Sequence, residues 1–202
     1  MGTTPGVSRW PVVPAVLAGW LAAALALGGS GRMEGLRPPV PQVVLVALTA
    51  AALIATVAVP VVRAWAWRLD LRAVVALHLT RFIGAWFLVL YRRGELPWAF
   101  AVPGGWGDIL VATLALMLLP WGPPTTPSRR QAYRVWNYVG LADILFVVAT
   151  AARLGFADPD SMRALLRLPL SLLPTFLGPL IIASHVLLAR RLRAPAGGPG
   201  IV

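Results

Sequence analysis

Six long apolar runs, separated by short segments that hold most of the charged residues, organise this sequence. A bilayer core about 30 Å thick needs roughly 20 apolar residues in a helix to cross it, and each run meets that length or comes close to it. The runs predict spanning helices at about residues 10–28, 41–62, 71–91, 104–120, 134–152 and 169–189. We therefore predict an all-α fold, a polytopic transmembrane helix bundle of about six spans that forms one domain over residues 1–193.

The first run resembles a signal peptide in position, but Pro11 and Pro14 interrupt it and no clear small-residue cleavage site follows. We interpret it as a retained helix. Between the last two runs, the stretch DPDSMRALLRL (residues 158–168) begins with capping residues and then gathers its aliphatic side chains opposite Arg163 and Arg167. This pattern predicts a short helix on the membrane surface. Residues 194–202 carry no folding signal and predict a flexible tail.

Composition supports a membrane location and narrows the chemistry. Hydrophobic residues make up 58% of the 202-residue chain and charged residues only 12%, against about 25% charged in soluble domains. All 18 basic residues are arginine, in short clusters between apolar runs, which indicates lipid and topology signals rather than a nucleic-acid surface. The absence of lysine and the heavy use of alanine, glycine and proline are typical of a GC-rich genome and suggest a bacterial source. Because the chain has no cysteine, thiolate chemistry is excluded, whereas haem held by histidine is not.

The arginine count sets the expected orientation. With six spans, the side that holds both termini carries ten arginines and the opposite side seven, and positive charge is retained in the cytoplasm. We therefore expect a multi-pass protein of the bacterial inner membrane with both termini in the cytoplasm.

Five ionisable side chains fall inside the predicted spans or at their edge, where a charge costs at least about 2.5–3.5 kcal/mol and needs a partner. They are His78, Arg81, Asp108, Asp143 and His185. Counted from the nearest boundary arginine, the two histidines lie at similar depths, so they can face each other if helices three and six touch. Two interpretations follow for His78 and His185, namely hydrogen-bonded packing or the two axial ligands of a haem b.

Arg81 lies one helical turn from His78, and Asp143 lies at a matching depth on helix five. An Arg81–Asp143 ion pair across a close helix contact is the arrangement with the lowest free-energy cost of burying the two charges. Gly84 and Gly140, on the same faces, would allow the two helices to approach closely. Such a pair either locks the bundle or also contacts a ligand.

Asp108 belongs to a different neighbourhood on the sequence evidence. Residues 94–107 combine prolines, glycines and tryptophans, which predicts an irregular or re-entrant segment before helix four. Asp108 would then cap helix four, or join Glu95 at an outward-facing mouth that attracts a cation.

Prolines divide the last predicted span. An internal proline removes the hydrogen bond to the carbonyl four residues earlier, so Pro174 and Pro179 free the carbonyls of Leu170 and Thr175. These two oxygens are predicted to accept from another group.

The runs HLTRFIGAW, GELPWAFAVPGGWGDIL, WNYVGLADILF, PTFLGPL and SHVLLARRL resemble a group of small bacterial integral-membrane proteins that are known as hypothetical proteins. The resemblance covers about residues 71–193. It implies a six-helix membrane fold and carries no activity, cofactor or catalytic residue.

Three functions fit these observations. The first is a small-molecule or ion binding or transport module with Arg81 and Asp143 at its centre and Asp108 and Glu95 as further candidates. The second is a haem b membrane cytochrome, and the third is a structural or accessory membrane protein. Hydrolase and kinase motifs are absent from the sequence, so an enzyme is the least favoured class. The expected partners are the lipid bilayer and, for the first of these functions, a small ligand or ion; no nucleic acid is expected, and the sequence does not define an oligomeric state.

Overall fold

The computed structural model describes residues 12–193, and in that range it contains helices and short turns and no β-strand. The predicted tail and the start of the first predicted helix lie outside the described residues. The α-helices in the described range are α1 (Val12–Gly29), α2 (Val40–Ala58), α3 (Pro60–Arg68), α4 (Leu71–Leu77), α5 (Gly84–Arg92), α6 (Trp98–Leu118), α7 (Pro127–Ala157) and α8 (Gly178–Arg193). Short 3-10 and π-helical turns extend or connect several of them.

Six helical segments of the described chain are long and apolar enough to cross a membrane. They are Val12–Gly29, Val40–Ala58, Leu71–Arg92, Trp98–Trp121, Pro127–Ala157 and Leu173–Arg193. The predicted all-α helix bundle is confirmed.

Two boundaries differ from the sequence prediction. The fourth segment begins at Trp98 rather than near residue 104, because Pro103 and the glycines around it are helical. Pro103 lies in the second turn of α6, where its missing N–H costs the helix one hydrogen bond. The last segment begins at Leu173 rather than at residue 169, after a turn that includes Pro169.

A layer of polar side chains separates two apolar clusters of the bundle. One cluster packs around Val75, Tyr133 and Leu188, and the other around Phe87 and Phe100. Along α6, α7 and the third spanning segment, the predicted ionisable residues fall between the residues of these two clusters. The layer therefore lies midway along the bundle, with α6 packed between α5 and α7 at its centre.

The third spanning segment changes from α-helix to a 3-10 helix at His78–Ile83 and then returns to α-helix. Its backbone meets α6 at this point. A Cβ atom on Gly84 would lie 2.6 Å from the carbonyl oxygen of Gly105, and one on Gly105 would lie 2.8 Å from the carbonyl oxygen of Gly84. Two glycines are therefore required for the contact that brings Arg81 against α6.

The first two helices lie at the edge of the bundle. α2 has no buried residue, although it packs along α8. α1 is attached partly through Trp20, whose Nε1 donates to the carbonyl oxygen of Thr175 at 2.7 Å. The carbonyl that Pro179 was predicted to free is thus used to hold α1.

Ion pairs connect the loops at one end of the bundle. Between the last two spans lies a 3-10 helix, Asp160–Leu166. Asp160 is paired with Arg37 at 2.8 Å, and Arg167 is paired with Glu34 at 2.9 Å and more loosely with Glu95 at 3.9 Å. The first, third and fifth loops therefore meet at one end, as an up-and-down order of six spans requires.

We expect Gly84→Ala to destabilise the bundle, because the added methyl group would overlap the backbone of α6. Overpacking of this kind costs about 1–3 kcal/mol. Gly19→Ala is the matched control, since a Cβ atom there meets nothing within 4 Å. Unfolding of both variants in denaturing detergent, followed by circular dichroism, measures the difference; equal midpoints would contradict the close contact.

Candidate functional site

Arg81 is the centre of the polar layer and is only 1% exposed. Its Nε donates to Asp108 Oδ1 at 2.6 Å, its Nη1 donates to the carbonyl oxygen of Gly140 at 2.9 Å, and its Nη2 donates to Asp143 Oδ2. All three nitrogens of the guanidinium group are therefore used. The ion pair predicted between Arg81 and Asp143 is present.

Asp108 lies in the middle of α6 and does not cap a helix, so the predicted capping role is wrong. Glu95 does not join Asp108 in this structure: it lies in the turn before α6 and is loosely paired with Arg167 at 3.9 Å. At 1.5 Å per residue, Asp108 is roughly 15 Å along α6 from its first residue, Trp98. Asp108 instead joins Arg81 and Asp143, and these three side chains are called the Arg–Asp cluster below.

With both carboxylates ionised, the Arg–Asp cluster has one negative charge in excess, since one guanidinium group faces two carboxylates. The side chains of Arg81, Asp108 and Asp143 are 1%, 4% and 16% exposed, so water reaches little of the cluster. Among the described residues, Arg81 is the cationic side chain that forms ion pairs with both carboxylates. A buried charge is costly when it is not paired, so the excess carboxylate calls for a proton or a cation.

His78 and His185 face each other next to the cluster, as their depths predicted. Both are fully buried, and their ring centroids are 4.2 Å apart. Gly140 joins the two groups of side chains, because its carbonyl accepts from Arg81 and a Cβ atom on it would lie 2.6 Å from His185 Cε1. The glycine allows α8 to approach α7 at the level of the histidines.

The hydrogen bonds of the histidines define their tautomers. Asn137 Nδ2 donates to the carbonyl oxygen of His185 at 3.1 Å, so Asn137 Oδ1 accepts from His185 Nδ1 at 2.9 Å. Ser184 Oγ donates to the carbonyl oxygen of Ile181 at 2.8 Å and therefore accepts from His78 Nε2 at 3.0 Å. His78 Nδ1 and His185 Nε2 are left as lone-pair nitrogens without a hydrogen-bond partner.

The histidine pair does not fit a haem in this arrangement. Two axial histidines hold the iron, and with it the porphyrin plane, between their rings. Here the two rings are in contact, and Trp136 packs edge-on against His78 with ring centroids 4.9 Å apart. The hydrogen bonds to Asn137 and Ser184 fix the rings further, so the packing interpretation accounts for the geometry.

A cavity of about 190 Å³ lies between α2 and the rest of the bundle, and Asp108 forms part of its wall. Most of the wall is aliphatic or aromatic, with Leu45, Phe87 and Val147 among its residues. Gln42 also lines the cavity, and its Oε1 is buried without a hydrogen-bond partner. The cavity is therefore an apolar chamber with Asp108 and Gln42 as the polar residues of its wall.

Sequence reasoning missed three polar residues of this region, namely Gln42, Asn137 and Ser184. A search limited to ionisable side chains passes over neutral ones. Asn137 lies one turn before Gly140, on the face of Asp143 and Gly140. Extending the search to every polar residue on the face of an intramembrane charge would have found it.

We expect Arg81→Gln to destabilise the protein by about 3–5 kcal/mol, because it leaves two buried carboxylates without their cation. Denaturant unfolding of the purified protein measures the loss. Arg92→Gln is the control, since Arg92 is exposed at the end of the same spanning segment, and it should change stability by less than about 0.5 kcal/mol. Adding Asp143→Asn to Arg81→Gln should restore part of the loss; a double variant no more stable than Arg81→Gln would contradict a direct charge interaction.

Comparison with known proteins gives one match. A family model described as "Domain of unknown function (DUF8737)" matches residues 38–193, which include α2 to α8, the Arg–Asp cluster and both histidines. No curated protein and no solved structure matches the chain. Since the match covers well over half of the sequence, the chain belongs to the family described as Domain of unknown function (DUF8737).

Proposed function

We propose that the protein is an integral membrane protein that binds a small, mostly apolar molecule in the cavity beside α2, with Asp108 as the polar contact. One observation carries this proposal: Asp108, which the Arg–Asp cluster holds, is also one of the residues that line the cavity. A cluster that only locked the bundle would not need a carboxylate next to an apolar chamber. Pockets of mostly apolar surface with few polar groups are typical of small-molecule sites.

The exposed surface supports a location in the bilayer. Large apolar side chains are widely exposed along the spanning segments, for example Val46 at 64%, Ile54 at 62% and Met117 at 63%. A water-soluble monomer rarely exposes large contiguous apolar patches. In a bilayer the same side chains face lipid, and the backbone is satisfied within the helices.

The arginine distribution supports an orientation with both termini in the cytoplasm, in a bacterial inner membrane. The end of the bundle at which Arg37, Asp160 and Arg167 meet would then face outward. The cavity extends toward that end, since Pro38 and Pro159 line it together with Asp108.

The size and shape of the cavity limit the molecule that it can hold. An engineered 150 Å³ cavity binds benzene, so about 190 Å³ suits one substituted ring or a short alkyl chain. Its wall runs along α7 from Ile144 to Gly155, roughly 16 Å at 1.5 Å per residue. An elongated molecule fits this chamber better than a bulky one.

Access from the bilayer is supported by the position of α2. This helix has no buried residue, and Val46 in the cavity wall is largely exposed. The cavity therefore reaches the lateral surface beside α2, and an apolar molecule dissolved in lipid could enter there without crossing an aqueous phase.

The orientation is testable because the chain has no cysteine. We expect Ser30→Cys, in the loop after α1, to react with a membrane-impermeant maleimide in intact spheroplasts. Ser128→Cys, at the start of α7, should react only after permeabilisation. Both serines are exposed, so accessibility of the side chain is matched. The reverse labelling pattern would overturn the orientation.

Filling the cavity should remove ligand binding. Ala151 lines the cavity, whereas Ala149 on the same helix is exposed on its outer side. We expect phenylpropanol to raise the unfolding midpoint of the wild-type protein and of Ala149→Phe in zwitterionic lipid nanodiscs. Ala151→Phe should bind it about tenfold more weakly or worse, because the new ring occupies the chamber. The alcohol partitions into the nanodisc lipid equally for the two phenylalanine variants, so partitioning does not cause a difference between them. Equal midpoint shifts in the two variants, or no shift in the wild-type protein, would refute the proposed site.

A further inference from the structure

We infer that the molecule bound in the cavity is a lipophilic cation, an amine with an apolar body, whose ammonium group lies against Asp108. This inference rests on the proposed function and names the ligand class of that same site. Three observations carry it: the charge of the Arg–Asp cluster, the kind of polar atoms in the cavity wall, and the apolar lining of the chamber.

The charge of the Arg–Asp cluster favours a cation. Arg81 balances one of the two carboxylates, and the other, when ionised, leaves one negative charge in a region with little water. Charges interact most strongly where the dielectric constant is low. An ammonium group in the cavity would meet the excess charge, whereas a carboxylate or phosphate would add a second one.

The polar atoms of the cavity wall favour a hydrogen-bond donor. Among the described residues, Asp108 and Gln42 are the polar side chains that line it. The carboxylate of Asp108 is a hydrogen-bond acceptor, whereas Gln42 carries both an acceptor and a donor, and its Oε1 is buried away from the accessible surface. Arg81 is directed toward Asp108, Asp143 and Gly140 and is not part of the wall. An ammonium group supplies N–H donors to such acceptors, and an anion supplies none.

The lining of the chamber suits a charged group attached to an apolar body. Asp108 is the ionisable residue of the wall, whereas Phe87, Val147 and Met162 are among its apolar residues. An amine attached to one ring or short chain would place its charge at Asp108 and its body between α2 and α7.

Three probes with one apolar body and different charge test the inference. Phenylpropylamine is cationic, phenylpropanol is neutral and phenylpropanoate is anionic at neutral pH. Binding of each to the full chain in zwitterionic nanodiscs is measured by isothermal titration, with empty nanodiscs as the blank. We expect the amine to bind at least about tenfold more tightly than the alcohol, and the acid at least about tenfold more weakly.

Two variants locate the cause of this selectivity. Asp143→Asn leaves the wall unchanged, because Asp143 does not line the cavity, but it removes the excess charge of the cluster. We expect it to reduce the preference for the amine to less than about threefold while the alcohol binds as before. Asp108→Asn should also reduce the preference for the amine, by removing the wall carboxylate; it is expected to weaken the alcohol too, because Asp108 is the proposed polar contact. Both variants retain a hydrogen-bonding side chain of similar size.

The outcomes separate this inference from the proposed function. Equal affinity of the wild-type protein for amine and alcohol, with both blocked by Ala151→Phe, would overturn the cation and leave the cavity site standing. Preference for the amine that persists in both asparagine variants would also overturn the assignment to the cluster. Failure of Ala151→Phe to weaken any probe would refute the cavity site itself.

Discussion

The burial of one guanidinium group determines much of this structure. A guanidinium group keeps its charge in proteins, so the helices packed around Arg81 must supply hydrogen-bond acceptors. α6 supplies Asp108, while α7 supplies Asp143 and the carbonyl of Gly140. Because the attraction is strong only over short distances, the backbones must come together, and the glycines at the contacts permit that approach. The helix packing around the site is thus a consequence of a single unavoidable charge.

Counting residues from the boundary arginines predicted two contacts between spanning segments. It placed His78 opposite His185 and Arg81 opposite Asp143, and these pairs are present. The method works because the third segment is α-helical up to His78, where the 3-10 helix begins, and because a buried ionisable group has few places to find a partner. The depths of His78 and His185 alone could not distinguish hydrogen-bonded packing from haem ligation, because the two differ in whether the imidazole rings touch.

Asp108 was misplaced for a physical reason. Glycine and proline weaken a helix in water, so residues 94–107 were interpreted as irregular. In an apolar environment, unpaired backbone groups find no water for hydrogen bonds. A helical conformation satisfies more of the N–H and C=O groups of this segment. α6 is accordingly helical from Trp98, and its glycines serve contacts rather than turns. The cavity could not be predicted from the sequence either. A void depends on how α2 packs against its neighbours and not on any pattern within α2.

The absence of buried residues in α2 has a consequence for how this protein can change over evolutionary time. A helix that inserts no side chain into a packed core is constrained by apolarity and length, and it can exchange one aliphatic residue for another at little cost. Such exchanges would reshape one wall of the cavity while Asp108 and the opposite wall stay fixed. Under the proposed function, members of the family could therefore diversify the apolar body of the ligand, one substitution at a time, while Asp108 is retained.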